Sequence, residues 1–139
     1  MVKIDVVRRK MEKASGWLDE AEAILSRPPE EFLVDVQDRD LAAFYLFLAI
    51  QECINLAAYW VADAGWGLPE DALFAFDTLA DYGAIDRDLA EKMRGAVGLR
   101  NRIAYGYARI DHARLQNEFP EGVGVLRSFL GLVSGEAGL

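Results

Sequence analysis

Between Leu41 and Val61 the chain runs for 21 residues with a single charged side chain, Glu52. About 20 apolar residues suffice to cross a bilayer, so such a run is either a membrane span or a helix covered on several sides. Gln51, Glu52 and Asn55 fall near its middle. A central carboxylate alone costs about 2.5–3.5 kcal/mol on insertion. No Lys/Arg-rich flank sets an orientation either. The expectation is therefore no membrane partner, but a helix over about 40–64 that sits centrally in a bundle or partly in a subunit interface.

The segment before it shows what could cover that helix. Ile4, Val7, Met11, Ala14, Leu18, Ala21 and Leu25 alternate spacings of three and four, an a/d seam over three heptads. Arg8, Arg9, Lys10, Glu12, Lys13, Asp19, Glu20 and Glu22 lie between them as a solvated face. Pro28-Pro29 ends this helix, because proline has no amide donor and clashes with the preceding turn. Asp38 or Asp40 can cap the next one. Pro69 is placed to open a third helix, over 69–82, which Gly83 closes. Asp86 caps a fourth through about 104, and Asp111 caps a further short turn. Pro120 starts a last helix along Val123, Leu126, Phe129, Leu130 and Val133, beyond which the final five residues are expected to fray. No stretch alternates with period two. The fold class is all-α, an up-and-down four-helix bundle with short additional helices, in one domain over 1–139.

Charge narrows the function classes. The formal net charge is −8, so any contact with RNA must come from a local basic patch. One cysteine, Cys53, permits neither an internal disulfide nor a cysteine metal cluster. Asp35, Asp38 and Asp40 lack the glycine turn and distal glutamate of a calcium loop. No Glu-x-x-His pair exists for a di-iron bundle. No metal and no cofactor are expected. No apolar signal core follows the N-terminal charges, so the expected location is the cytoplasm.

The densest chemistry lies in Arg100-Asn101-Arg102-Ile103-Ala104-Tyr105-Gly106-Tyr107. Two guanidiniums, an amide and two phenols meet there in an otherwise acidic chain. A guanidinium holds a phosphate through two parallel charge-assisted hydrogen bonds. Arg100 and Tyr107 are seven apart and share a helix face, while Asn101 and Tyr105 share another. Gly106 lets the chain leave helical geometry, and a break there would let both phenols converge on the arginines. An arginine-rich helix end can also simply favour the macrodipole. Glu52 and Asn55, polar in an apolar helix, either line a cleft and pair with Arg102 or lie at an exposed edge. Trp17, Trp60 and Trp66 read as packing residues, and His112 as an exposed first-turn histidine.

This block resembles the Arg-x4-6-His-x-Tyr motif of the HEPN superfamily, most closely its HepT toxin branch, with Tyr105 where the family has histidine. The continuation through Ile110-Asp111 fits as well. The resemblance implies a helical bundle and metal-independent RNA cleavage, in which the 2′-hydroxyl attacks its own phosphodiester. It implies that Arg100 holds the phosphate, Asn101 orients it and Tyr107 donates or positions. Two copies would meet in a homodimer, gathering Arg100, Arg102, Arg109 and Arg94 of each chain into one RNA-binding cleft. It further implies an MNT-type nucleotidyltransferase antitoxin as partner, with Tyr107 as AMP acceptor and Tyr105 a second phenol within reach. A phenol has pKa about 10 against about 6.5 for imidazole, and loss of a general base costs about 10²–10⁴ in rate. Position 105 therefore predicts weak or absent cleavage. The reading as an attenuated endoribonuclease stands beside that of a non-catalytic, nucleotidyltransferase-binding AMP acceptor, and a plain interaction bundle is a third.

Overall fold

The fold is given by a computed structural model that describes residues 3–139. Its helices are α1 (Ile4–Leu25), α2 (Pro29–Phe32), α3 (Val36–Asp63), α4 (Ala72–Asp81), α5 (Arg87–Gly106) and α6 (His112–Ala137), with a 3₁₀ turn over Tyr107–Arg109. Among the described residues there is no strand. The bundle is all-α, as the periodicity predicts.

The α1 seam packs inward. Val7, Ala14, Leu18, Ala21 and Leu25 are buried, Met11 is half-buried, and only Ile4 at the helix start is exposed. α3 is the central element and packs against α1, α4, α5 and α6. It is long and apolar enough to cross a membrane by length and composition. Its place among four other helices accounts for that apolarity, since Ala42, Leu46, Ile50, Cys53, Leu56 and Trp60 all lie in the core. Burial pushes the Cys53 thiol up to about 12, which makes it an unreactive core group. Phe129 of α6 meets Phe76 of α4 edge-on at 5.3 Å and Trp60 of α3 at 6.5 Å.

Five features differ from the sequence expectation. α3 starts at Val36 and is capped by Asp35, whose carboxylate accepts from the Asp38 amide at 3.1 Å. Asp38 is instead taken up by Arg27, which bridges it and Asp35. α4 begins at Ala72, not Pro69, because Asp71 accepts from the amides of Leu73 and Phe74. A four-residue helix, α2, follows Pro28. The expected turn at Asp111 and helix at Pro120 are one continuous helix, α6, with Pro120 inside it. Pro120 is on the exposed side, so its ring and the missing hydrogen bond fall toward solvent. The C-terminus is helical to Ala137 and closed by Gly138 in the left-handed conformation (φ 74°), rather than frayed.

Gln116 is the one buried polar side chain among the described residues, at 8% exposure. Its amide donates to the carbonyls of Leu25 (3.1 Å) and Arg27 (2.8 Å), so α6 satisfies the orphan acceptors that end α1. Phe129→Ala removes a fully buried ring that joins three helices. The expected loss is about 3–5 kcal/mol of unfolding free energy, read as a lowered urea midpoint with an unchanged m-value.

Candidate functional site

The motif arginine lies in the seam between α3 and α5. Arg100 is half-buried and turned toward α3. Its Nε and Nη2 donate to Gln51 Oε1 at 3.0 and 2.8 Å, and its Nη1 donates to Asn101 Oδ1 at 2.9 Å. Gln51 is itself oriented by donating to Asn55 Oδ1 at 3.1 Å. The Phe47 ring lies 5.1 Å from the guanidinium carbon, within range for a cation–π contact. The guanidinium is thus fixed in position and plane, with three of its five N–H donors engaged and two left.

The chemistry of these partners is the informative point. Arg8, Arg27, Arg87, Arg94, Arg114 and Arg127 each meet a carboxylate. Arg100 is held only by neutral amides. Its charge is left uncompensated, which is what an anion site requires. Glu52, two-turn neighbour of Tyr45 on the same helix, does not pair with Arg102; it meets Lys10 of α1 at 3.5 Å. Arg94 is occupied by Asp77 at 3.7 Å.

Tyr107 closes the other end of this seam. α5 continues helically through Gly106, and the chain then tightens into the 3₁₀ turn. This geometry sends the Tyr107 hydroxyl to Asp40 on the first turns of α3, to which it donates a hydrogen bond. Burial first, and then the Asp40 bond, push the phenol up to about 12, with Arg39 opposing. His112 packs edge-on against Tyr107, ring centroids 5.7 Å apart. It is half-buried, not the exposed histidine of the sequence expectation. Burial and then Arg39 lower its pKa, favouring neutral imidazole. His112 Nδ1 and Arg39 Nε are buried without a hydrogen-bond partner among the described residues.

The remaining motif residues part company with these. Tyr105 is 83% exposed and points away from the seam. The two phenols do not converge within one chain. Asn101 is exposed apart from its bond to Arg100. Arg100 and Tyr107 share a face but stand about 10 Å apart along the helix, from seven residues at 1.5 Å each. Arg102 and Arg109 are exposed and belong to the opposite flank of α5, along a cleft with α6. No cluster of three or more His, Cys, Asp or Glu suited to a metal ion occurs among the described residues.

The profile of the ribonuclease HepT-like family matches residues 16–133, which includes every residue of this site. The chain belongs to that family. An Archaeoglobus fulgidus protein provisionally named an RNase is 30% identical over 107 residues, 76% of this chain and 79% of that protein. Two solved structures share the fold. One is a tri-AMPylated Shewanella oneidensis HEPN toxin in complex with MNT antitoxin, with TM-score 0.87 at 18% identity, covering 97% of this chain and 99% of that one. The other is a toxin–antitoxin with AMP-PNP, with TM-score 0.86 at 17% identity, covering 96% and 99%. At these identities the likeness is one of fold, and it is the HEPN fold that the motif resemblance implies.

Sequence reasoning missed Gln51 as the partner of Arg100 and Asp40 as the partner of Tyr107. An uncharged amide at the centre of a buried helix was the available signal for the first. Asp40 gave none beyond its capping propensity.

The Tyr107–Asp40 bond has a pH signature. Below the ordinary tyrosine value of 10.0 both folded and unfolded chains hold the phenol proton. As pH rises from there to about 12 the unfolded chain ionises at this residue and the folded one does not, so its contribution to stability is lost across that window. Absorbance titration should therefore find one late-ionising phenol. Tyr107→Phe should abolish that late phase, and Asp40→Asn should move it toward the ordinary value.

Proposed function

We propose that this HepT-like chain is the toxin component of a HEPN/MNT toxin–antitoxin pair, a cytoplasmic homodimer that binds RNA and cleaves it weakly or not at all. The observation that carries the reading is Arg100, a guanidinium fixed by Gln51 and Asn101 with its charge uncompensated. In a chain of net charge −8, that leaves a local positive potential able to receive an anion. Its two free donors suit the non-bridging oxygens of a phosphodiester.

Cleavage on such a site runs by attack of the RNA 2′-hydroxyl on the adjacent phosphorus. The O2′–P bond forms, the P–O5′ bond breaks, and a cyclic phosphate and a 5′-hydroxyl result. Arg100 stabilises the charge that builds on the phosphoryl oxygens. The attacking hydroxyl must lose a proton and the leaving oxygen must gain one. Tyr105 stands where the family places the imidazole for this work, and its phenol is a poor base at neutral pH. The rate is low for want of a base, while the binding groups are in place. A homodimer is supported by Val36, Leu41 and Phe44, exposed apolar residues on the α3 face beside Asp40. A second copy would cover them and bring two motifs together.

Purified protein is assayed on labelled single-stranded RNA in EDTA, with Tyr105→His and Arg100→Ala variants. Tyr105→His is expected to raise cleavage by about 10²–10⁴, and Arg100→Ala to abolish it in either background. Failure of Tyr105→His to cleave would overturn the ribonucleolytic reading. Phe44→Glu is expected to shift the dimer toward monomer in sedimentation equilibrium.

A second reading is favoured by the Tyr107–Asp40 bond, in which this chain is chiefly an AMP acceptor for its nucleotidyltransferase partner. The Tyr107 oxygen would attack the α-phosphorus of ATP, pyrophosphate would leave, and Asp40 would receive the phenol proton. Adenylation would place negative charge beside Arg39 and near the RNA path, which opposes RNA binding. Intact-mass measurement after incubation with the partner and ATP should show added adenylate, absent in Tyr107→Phe and slowed in Asp40→Asn.

A further inference from the structure

Arg102 and Arg109 are left without a task by the α3–α5 seam. Arg102 lies two positions on from Arg100, about 200° of helical rotation, so the two side chains leave α5 on opposite flanks. Arg102 and Arg109 border a cleft of about 440 Å³ between α5 and α6. Neither makes an ion pair or side-chain hydrogen bond among the described residues. The other two cations of the lining are neutralised on their own helices, Lys92 by Asp88 at 3.1 Å and Arg114 by Glu118 at 3.1 Å. Behind the charges the floor is apolar, formed by Leu99, Phe119, Val123 and Leu126.

The helical walls of this cleft carry glycine at Gly95 on α5 and Gly122 on α6. A Cβ at either position would meet no heavy atom within 4 Å, and neither glycine has a positive φ. Packing and backbone conformation therefore do not call for them. In a helix interior each is about 1 kcal/mol less favourable than alanine. What the two glycines do is leave both walls bare and the cleft open.

A volume of this size is ordinary for a small-molecule site, and the lining has the usual make-up of an apolar bed with a few convergent polar groups. Two uncompensated guanidiniums suit an anion over a neutral ligand, and a phosphate has oxygens enough to accept from both forks at once. Of the carboxylates in the lining, Glu118 is paired with Arg114 and Asp111 caps α6, while Glu121 repels an anion from the α6 wall, so the unpaired Arg102 and Arg109 are its seat. An apolar floor with one aromatic ring offers a base a stacking surface. We propose that the α5–α6 cleft is a nucleotide site, with the phosphate on Arg102 and Arg109 and the base on the floor around Phe119. The nucleotide is either a residue of the RNA strand held by Arg100 or a free mononucleotide, and the proposal rests on the RNA reading only for that source.

The test is calorimetric titration of the full-length protein with AMP, with UMP and with a short single-stranded RNA. The variants are the Arg102→Ala/Arg109→Ala pair and Gly122→Leu, which fills the cleft from a position with room for a side chain. Both are expected to weaken nucleotide binding at least tenfold. Gly122→Leu should do so with a melting temperature equal to or above that of the parent, since leucine is the better helix former, and so a folding defect is separated from a blocked site. Gly95→Leu, from the other wall, supplies a second blocking variant should Gly122→Leu fail to fold. Tenfold loss for AMP or UMP identifies a free-nucleotide site, and loss for RNA alone identifies a subsite of the strand. If the parent binds none of the three ligands, or if a folded, cleft-filled variant binds all of them as the parent does, the proposal is overturned. RNA cleavage that survives cleft filling while Arg100→Ala abolishes it would refute the RNA strand as the source and leave the proposed function standing. The converse pattern would do the opposite.

Discussion

A helix of 28 residues with apolar side chains on nearly every face is stable in water only if other elements take those faces away from solvent. That requirement on α3 organises this bundle. α1 supplies a regular seam along one side, α4 and the aromatic cluster of Phe76 and Phe129 close another, and α5 and α6 complete the enclosure. The functional groups are placed by the same constraint. Gln51 is polar in the middle of α3 at a point where α5 crosses, and the motif arginine on α5 is the group that satisfies it.

Electrostatics then separates the arginines into two kinds. Most are tied to carboxylates, as expected of a chain with eight more acids than bases. Arg100, Arg102 and Arg109 are not, nor are Arg9 and Arg39, and the first three come from a ten-residue stretch. An exposed ion pair is worth at most about 1 kcal/mol, so forgoing it costs little stability and preserves local positive potential. α5 divides this potential between two flanks. One faces the α3 seam with Gln51 and Asp40, and the other faces the α6 cleft.

The architecture was legible in the sequence wherever one periodicity or one cap dominated. The seam from Val7 to Leu25 and the caps at Asp86 and Asp111 are examples. It was ambiguous where several residues offered the same service. Asp35, Asp38 and Asp40 lie within six positions and all can cap a helix. Asp35 does so with one carboxylate oxygen while its other oxygen and Asp38 are bridged by Arg27, and Tyr107 claims Asp40. Pro120 read as a helix start because proline has no donor, and it sits within α6 because it lies on the solvent side. The motif segment was legible as a candidate site from its composition, but its division between two flanks of α5 was not. Helical spacing gives the face on which a residue lies and leaves open which neighbour covers that face. The partners of Arg100 and Tyr107 lie 49 and 67 residues away in the chain.

The amide of Gln116 joins the end of α1 to the body of α6 across about ninety residues of intervening chain. During synthesis the N-terminal helix therefore leaves the ribosome with its last carbonyls unmet, and they stay so until the final helix emerges. Contacts this distant in sequence are costly to close early. A nascent chain lacking residue 116 and beyond has no means of completing the bundle. Closure of the bundle is thereby tied to the emergence of α6, so that chains ending before it are folding intermediates.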